Sequence, residues 1–176
     1  MPGTVKTPRV WQSFHRGGRS RLRRLPSEGM SRVPRSSLPD GPFHVAARGV
    51  ASRCPIFRDD EDRRTFLVLL LHAARKHEWT CHAFCLMGTH YHLVVDTLRV
   101  NLSRGLHRLN WLYALHFNER YRLFGHLFAD RFSARAIEGE EYLYKACAYD
   151  VLNPVKAGLC DRAEDWPWSY NRYGVE

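Results

Sequence analysis

His90 and His92 stand one residue apart inside the apolar run LMGTHYHLVV, residues 86–95. Imidazole is both a proton carrier near neutral pH and a common metal ligand. In a β-strand alternate side chains face the same way, so both rings would leave one face while Tyr91, Leu93 and Val95 leave the other. Two ligands then point at one spot. They are an incomplete site, because a catalytic ion takes about three protein ligands with positions left open for substrate. A second stripe could complete it: Tyr142, Ala146, Tyr149 and Asn153 fall on one face of a helix. Tyr149 and Asn153 are one turn apart, so a helix packed under the histidine strand would bring a hydroxyl and an amide oxygen to the same ion. Taken alone, both patterns also fit packing histidines and a core tyrosine.

The elements that must carry these groups follow from periodicity. Residues 43–47 alternate as a strand after the turn PDGP at 39–42. Residues 59–77 open with the acidic run DDED and continue through FLVLLLHAA, as a buried helix does. Residues 79–87 form a second strand, Gly88-Thr89 a tight connection, and residues 90–96 a third strand. Asn101 is placed as the cap of a long helix in which Leu102, Leu106, Leu109, Tyr113 and Phe117 recur at helical spacing, ending near Tyr121. Residues 128–137 are expected as a strand and 138–153 as a last helix stopped by Pro154. The order β-α-β-β-α-β plus a further helix predicts an α+β, ferredoxin-like (RRM-like) sandwich, with one antiparallel sheet and its helices on one face. The extra C-terminal helix would carry Tyr149.

A chain of 176 residues with 44% hydrophobic and 12% aromatic content suits one domain with a substantial core. No segment approaches the ~18 uninterrupted apolar residues of a membrane span, and the N-terminus lacks a signal-peptide core. A soluble, cytoplasmic protein without a membrane partner is expected. The five cysteines (Cys54, Cys81, Cys85, Cys147, Cys160) contain no CxxC pair, so neither a disulfide framework nor a zinc ribbon is indicated.

The formal charge of +9 is concentrated at one end: residues 1–35 hold nine Lys/Arg against one acid, and residues 36–176 hold 18 against 17. The first 35 residues, rich in Arg, Gly, Ser and Pro, are expected as a disordered basic tail. They are read either as an arm that holds DNA phosphates or as the product of an early start codon, since Met30 opens a more compact sequence. Residues 36–176 form the domain. Within it, residues 97–135 carry seven arginines (99, 104, 108, 120, 122, 131, 135) against Glu119 and Asp130. That surplus is either a phosphate-binding face or an ordinary solvated surface.

Several separated motifs then resemble one family in the same order: FHVAARG, the acidic-start helix, HAFCLMGTHYHLVV, GHLF followed by RF at 131–132, YDVLNPVKAGL and WPWSYNRY. Their succession over residues 36–173 resembles the REP-associated tyrosine transposases, single-tyrosine HUH transposases of bacterial insertion sequences. By position, the resemblance implies that His90 and His92 are the metal-binding pair. The family's Tyr-x-x-x-Asn-Pro pattern falls on Tyr149, Asn153 and Pro154, implying that Tyr149 is the nucleophile and Asn153 the third ligand. The sequence departs from the common pattern at Gly88-Thr89, where Pro and a polar residue usually precede the first histidine; this touches loop geometry more than chemistry. Tyr113 is the rival tyrosine, but it lies on the apolar stripe with Leu102, Leu106 and Leu109. Asn118 has no partner at helical spacing that would build a site.

The implied activity is a DNA transposase and single-strand endonuclease that cleaves and rejoins hairpin-containing DNA through a 5′-phosphotyrosine link. Tyrosine, with a reference pKa of about 10, needs help to act as a nucleophile at neutral pH. Two nitrogens and one amide oxygen suit Mn²⁺ or Mg²⁺, with Mg²⁺ the less comfortable. A homodimer is implied, and no nucleotide cofactor. Arg48, Arg104, Arg108, Arg131, Arg135 and Lys156 are the expected DNA contacts. The alternative is a domesticated, catalytically idle DNA-binding protein. A two-histidine phosphoesterase would need two H-x-Ser/Thr motifs, and a binuclear metallohydrolase further Asp and His ligands near the first pair; neither pattern is present.

Overall fold

The computed structural model describes residues 40–50, 55–98 and 101–174. The N-terminal tail, Met30, Cys54 and Arg99 lie outside the described residues. Five antiparallel strands form one sheet in the order β4-β1-β3-β2-β5: β1 (Gly41–Arg48), β2 (Trp79–Leu86), β3 (His90–Thr97), β4 (Ser133–Ala136) and β5 (Ser169–Asn171). The first four have the ferredoxin-like arrangement expected from the element order. β5 adds an edge that periodicity did not reveal, because it is only three residues long.

Helix α1 (Asp60–His77) begins where Asp59 accepts the backbone N–H of Asp62 at 3.1 Å. Acids fill its first turn and Arg75, Lys76 and His77 its last, matching the helix dipole at both ends. Helix α2 (Leu102–Tyr121) is tied to that start: Arg120 reaches the carboxylates of Asp59 and Asp62 at 2.8 and 2.6 Å, and the Tyr121 hydroxyl donates to Asp62 at 2.9 Å. Asn101 stands at the start of α2, but its side chain does not cap it. It accepts from the Trp79 indole at 2.8 Å and donates to the His77 carbonyl at 2.9 Å, so it joins α2 to the α1–β2 turn instead.

The two helices cover one face of the sheet. Phe43, Val45, Tyr91, Leu93 and Val95 from the strands meet Phe66, Leu70, Leu106, Leu109, Tyr113 and Phe117 from the helices in the main core. The third helix, α3 (Glu140–Lys156), is the extra C-terminal helix, and it lies on the other face. Its Leu143, Ala146 and Cys147 pack against Ala83 and Val94 on the opposite face of the sheet. An antiparallel sheet with apolar groups on both faces needs cover on both, and α3 supplies the second layer.

Two boundaries also move. The fourth strand is four residues long instead of ten: Phe128 makes only an isolated bridge to Gly49, and regular pairing with β1 starts at Ser133. The last helix passes through Pro154 to Lys156. Proline has no N–H for the carbonyl four residues back, and the Asn153 side-chain amide donates to that carbonyl of Asp150 at 3.2 Å. The described thiols Cys81, Cys85, Cys147 and Cys160 are unpaired, the first three buried, and burial pushes Cys81 up to about 12. No described helix is long and apolar enough to cross a membrane.

Candidate active site

Strand pairing decides which side chains share the α3 face. The alternation that sends Phe43, Val45 and Ala47 into the main core turns His44, Ala46 and Arg48 the other way. In β3 it sends Tyr91, Leu93 and Val95 inward and His90, His92 and Val94 to the same second face. Antiparallel register sets His44 opposite Val94, Ala46 opposite His92 and Arg48 opposite His90. Three imidazoles therefore share one face. The His44 and His92 rings stack with centroids 5.5 Å apart, and His90 meets His92 edge-on at 5.0 Å.

Helix α3 brings the remaining groups. Its buried stripe of Leu143, Ala146, Cys147, Val151 and Pro154 is interrupted by one carboxylate, the fully buried Asp150. Asp150 Oδ1 lies 2.9 Å from His44 Nε2 and 3.7 Å from His92 Nδ1. Its other oxygen, Oδ2, and His92 Nδ1 are buried without a hydrogen-bond partner among the described residues. Burial raises the Asp150 carboxyl above its usual range against the pull of the His44 hydrogen bond. Burial lowers His92 to about 3, with His90 and His44 adding to the shift, and also lowers His90. Neutral imidazoles are the ligand form.

Tyr149, one residue before Asp150, is 47% exposed. Its ring meets His44 edge-on at 6.4 Å, and Lys156 Nζ lies 4.0 Å above its centroid. The sequence-predicted His90, His92 and Tyr149 thus gather on one face. Asn153, half-buried one turn on, has its amide nitrogen engaged by the Asp150 carbonyl. Tyr113 is buried in the main core, where its hydroxyl donates to the Ile56 carbonyl and burial pushes it well above the ordinary tyrosine range. Asn118 holds the following loop through the Gly125 carbonyl at 2.9 Å.

The predicted DNA contacts divide. Arg135 is the strand partner of His44 and Arg48 that of His90, so both lie beside the imidazoles. Arg131, exposed, precedes β4, and Lys156 covers Tyr149. Arg104 and Arg108 are on α2, across the sheet, where their charges act on His77. Arg120 is occupied by its two aspartates.

His44 and Asp150 were missed from sequence. Their signals are an imidazole out of phase with the apolar residues of 43–47 and a carboxylate on an apolar helical stripe. Ligand atoms of His44, His92 and Asp150 lie within 4.8 Å of one another, a set able to hold a metal ion.

No curated protein matches this chain. A solved structure of a REP-associated tyrosine transposase bound to a REP hairpin is similar to it, with a TM-score of 0.65 and 18% identity over 80% of this chain and 82% of that one. At that identity the likeness is one of fold. The IS200-like transposase family matches residues 43–149, from the first core residue of β1, Phe43, to Tyr149 beside the imidazole face. With its fold shared and more than half of its length matched, this chain belongs to the IS200-like transposase family.

Proposed function

We propose that this protein cleaves and rejoins single-stranded, hairpin-containing DNA through a 5′-phosphotyrosine on Tyr149, in a site that takes Mn²⁺ or Mg²⁺. The observation that carries the reading is the exposed Tyr149 ring at the border of a sheet face lined by His44, His90 and His92. The REP-associated relative solved with a hairpin supports the class of substrate. The homodimer and action on DNA in the bacterial cytoplasm rest on family resemblance.

The donor set fits a divalent ion. Buried and without hydrogen-bond partners among the described residues, His92 Nδ1 and Asp150 Oδ2 are atoms that an ion would satisfy. His90, His92 and Asn153 are the ligands proposed from resemblance, and the adjacent His44 and Asp150 offer an imidazole and the set's only anionic oxygen, which suits a hard cation. Bound there, the ion would polarise the scissile phosphate.

The chain's own residues supply the remainder. The Tyr149 oxygen attacks phosphorus in line, a P–O bond to Tyr149 forms, and the P–O3′ bond breaks to leave a free 3′-hydroxyl. A second 3′-hydroxyl reverses the step on another strand. Tyr149 stands edge-on to His44 at the imidazole face; its phenolic proton passes to a water there, and the departing 3′ oxygen takes up a proton from water. Lys156, Arg48, Arg131 and Arg135 are proposed to hold phosphates around this face, with Arg104 and Arg108 limited to a wider basic surface.

The test is incubation with labelled single-stranded hairpin DNA from the flanks of the protein's own gene and Mn²⁺, followed by denaturing electrophoresis. A covalent adduct is expected from the wild type and none from Tyr149→Phe, His90→Ala or His92→Ala, each of which retains DNA binding. Binding without adduct in the wild type would instead identify an idle DNA-binding protein.

A further inference from the structure

The loop from α2 to β4 presents an aromatic side chain that the fold does not use. Phe124 is 100% exposed. Its backbone is nevertheless fixed on both sides: Arg122 closes α2 in the left-handed region at φ 52, the Leu123 N–H donates to the Asn118 carbonyl at 2.9 Å, and the Asn118 amide holds the Gly125 carbonyl at 2.9 Å. The loop then binds to the end of β1, through Val50 N–H to Leu127 O at 3.0 Å and Ala129 N–H to Arg48 O at 3.0 Å. Arg48 is the strand partner of His90, and the Gly49 N–H reaches the Thr89 carbonyl at 2.9 Å. Phe124 is thus held on a loop fastened to the histidine end of the sheet.

Its surroundings suit a polyanion. Arg48, Arg122 and Arg131 are exposed and have no acidic partner among the described residues. The nearby acid Asp130 is turned to the Arg131 backbone N–H at 2.7 Å. An exposed aromatic on a loop that also carries Arg122 and Arg131 and is tied to β1 at Arg48 is a combination that binds a single strand: bases stack on the ring while cations take phosphates. A base-paired duplex offers no such contact, because its bases are already stacked inside.

We propose that Phe124 is a stacking platform for an unpaired base of the strand that enters the site at its His90 end. This rests on the single-strand DNA reading above.

The test uses the full chain with Phe124→Ala and Phe124→Trp, and measures at one fixed salt concentration the affinity for an oligo(dT) strand and for a blunt duplex. The expected result is a loss of about tenfold or more for oligo(dT) in Phe124→Ala, no loss for the duplex, and restored binding in Phe124→Trp with quenching of the new indole's fluorescence. Equal losses on both DNAs, no loss on oligo(dT), or no rescue by Trp would overturn the proposal. So would a dimer-to-monomer change in sedimentation caused by Phe124→Ala, which would assign the ring to contact between copies. A wild-type chain that fails to bind oligo(dT) would remove the single-strand reading itself.

Discussion

Two tyrosines and one aspartate separate chemistry from packing at the level of single residues. Tyr149 is half-exposed beside His44, so Tyr149→Phe should melt like the wild type while forming no covalent adduct. Tyr113 is buried, and its hydroxyl satisfies the Ile56 carbonyl; Tyr113→Phe should cost about 0.5–1.5 kcal/mol in denaturant unfolding and leave adduct formation intact. An adduct from Tyr149→Phe, or its loss from Tyr113→Phe, would reverse the assignment. Asp150 is the residue whose role the ion decides. As a ligand, or as the group that orients His44 and His92, its carboxylate should matter to metal affinity by about 10–100-fold. Titration calorimetry of Mn²⁺ into Asp150→Asn checks this without DNA, and unchanged affinity would leave Asp150 a packing residue.

Between elements, α2 comes close to the start of β2 at one glycine. Gly105 lies in α2 where an added Cβ would come within 2.3 and 2.5 Å of the Trp79 ring and 2.9 Å of His77. Trp79 cannot easily yield, being 3% exposed and hydrogen-bonded through its indole to Asn101. Alanine is the better helix former by roughly 1 kcal/mol, yet overpacking a tight contact costs about 1–3 kcal/mol. Gly105→Ala should therefore lower the thermal midpoint despite its propensity gain, and a raised midpoint would show that the α2–β2 contact gives way freely.

For the whole molecule, pH and charge act in separable ways. His82 is 4% exposed, with its Nδ1 2.7 Å from the Tyr173 hydroxyl, and burial, helped by Arg172, lowers it to about 4. The folded protein keeps it neutral while the unfolded chain takes up a proton below about 6.5, so its contribution is intact at neutral pH and is lost as pH falls from 6.5 toward 4. Between pH 7 and 5 that loss should reach about 1–2 kcal/mol, and His82→Gln should flatten the pH dependence of denaturant unfolding by that amount. An identical slope in the two proteins would rule the histidine out as a cause. The basic surplus of the first 35 residues lies outside the described fold. A chain starting at Met30 should keep its thermal midpoint and lose mainly salt-sensitive, sequence-independent DNA affinity; a lower midpoint would make the tail part of the fold.

Relations within one element were legible because they depend on repeat geometry alone. A period of two sends His90 and His92 to one face of β3, and a helical turn sets Tyr149 beside Asn153. The acidic start of α1 and the apolar stripe of α2 followed in the same way, and with them the α+β order. Relations between elements depend on pairing and burial across the chain, which no local repeat encodes. Register alone sets Ala46 opposite His92, and with it His44 on the same face. The choice of α3 to cover the second face of the sheet then buries Asp150 against these rings. The same layering separates Arg135, beside His44, from Arg104 and Arg108, which share its charge but lie across the sheet. The sequence by itself determined the imidazole pair, the helical tyrosine and the elements that carry them. Only the tertiary structure decided which further residues meet them, because that depends on which apolar faces must be buried against each other.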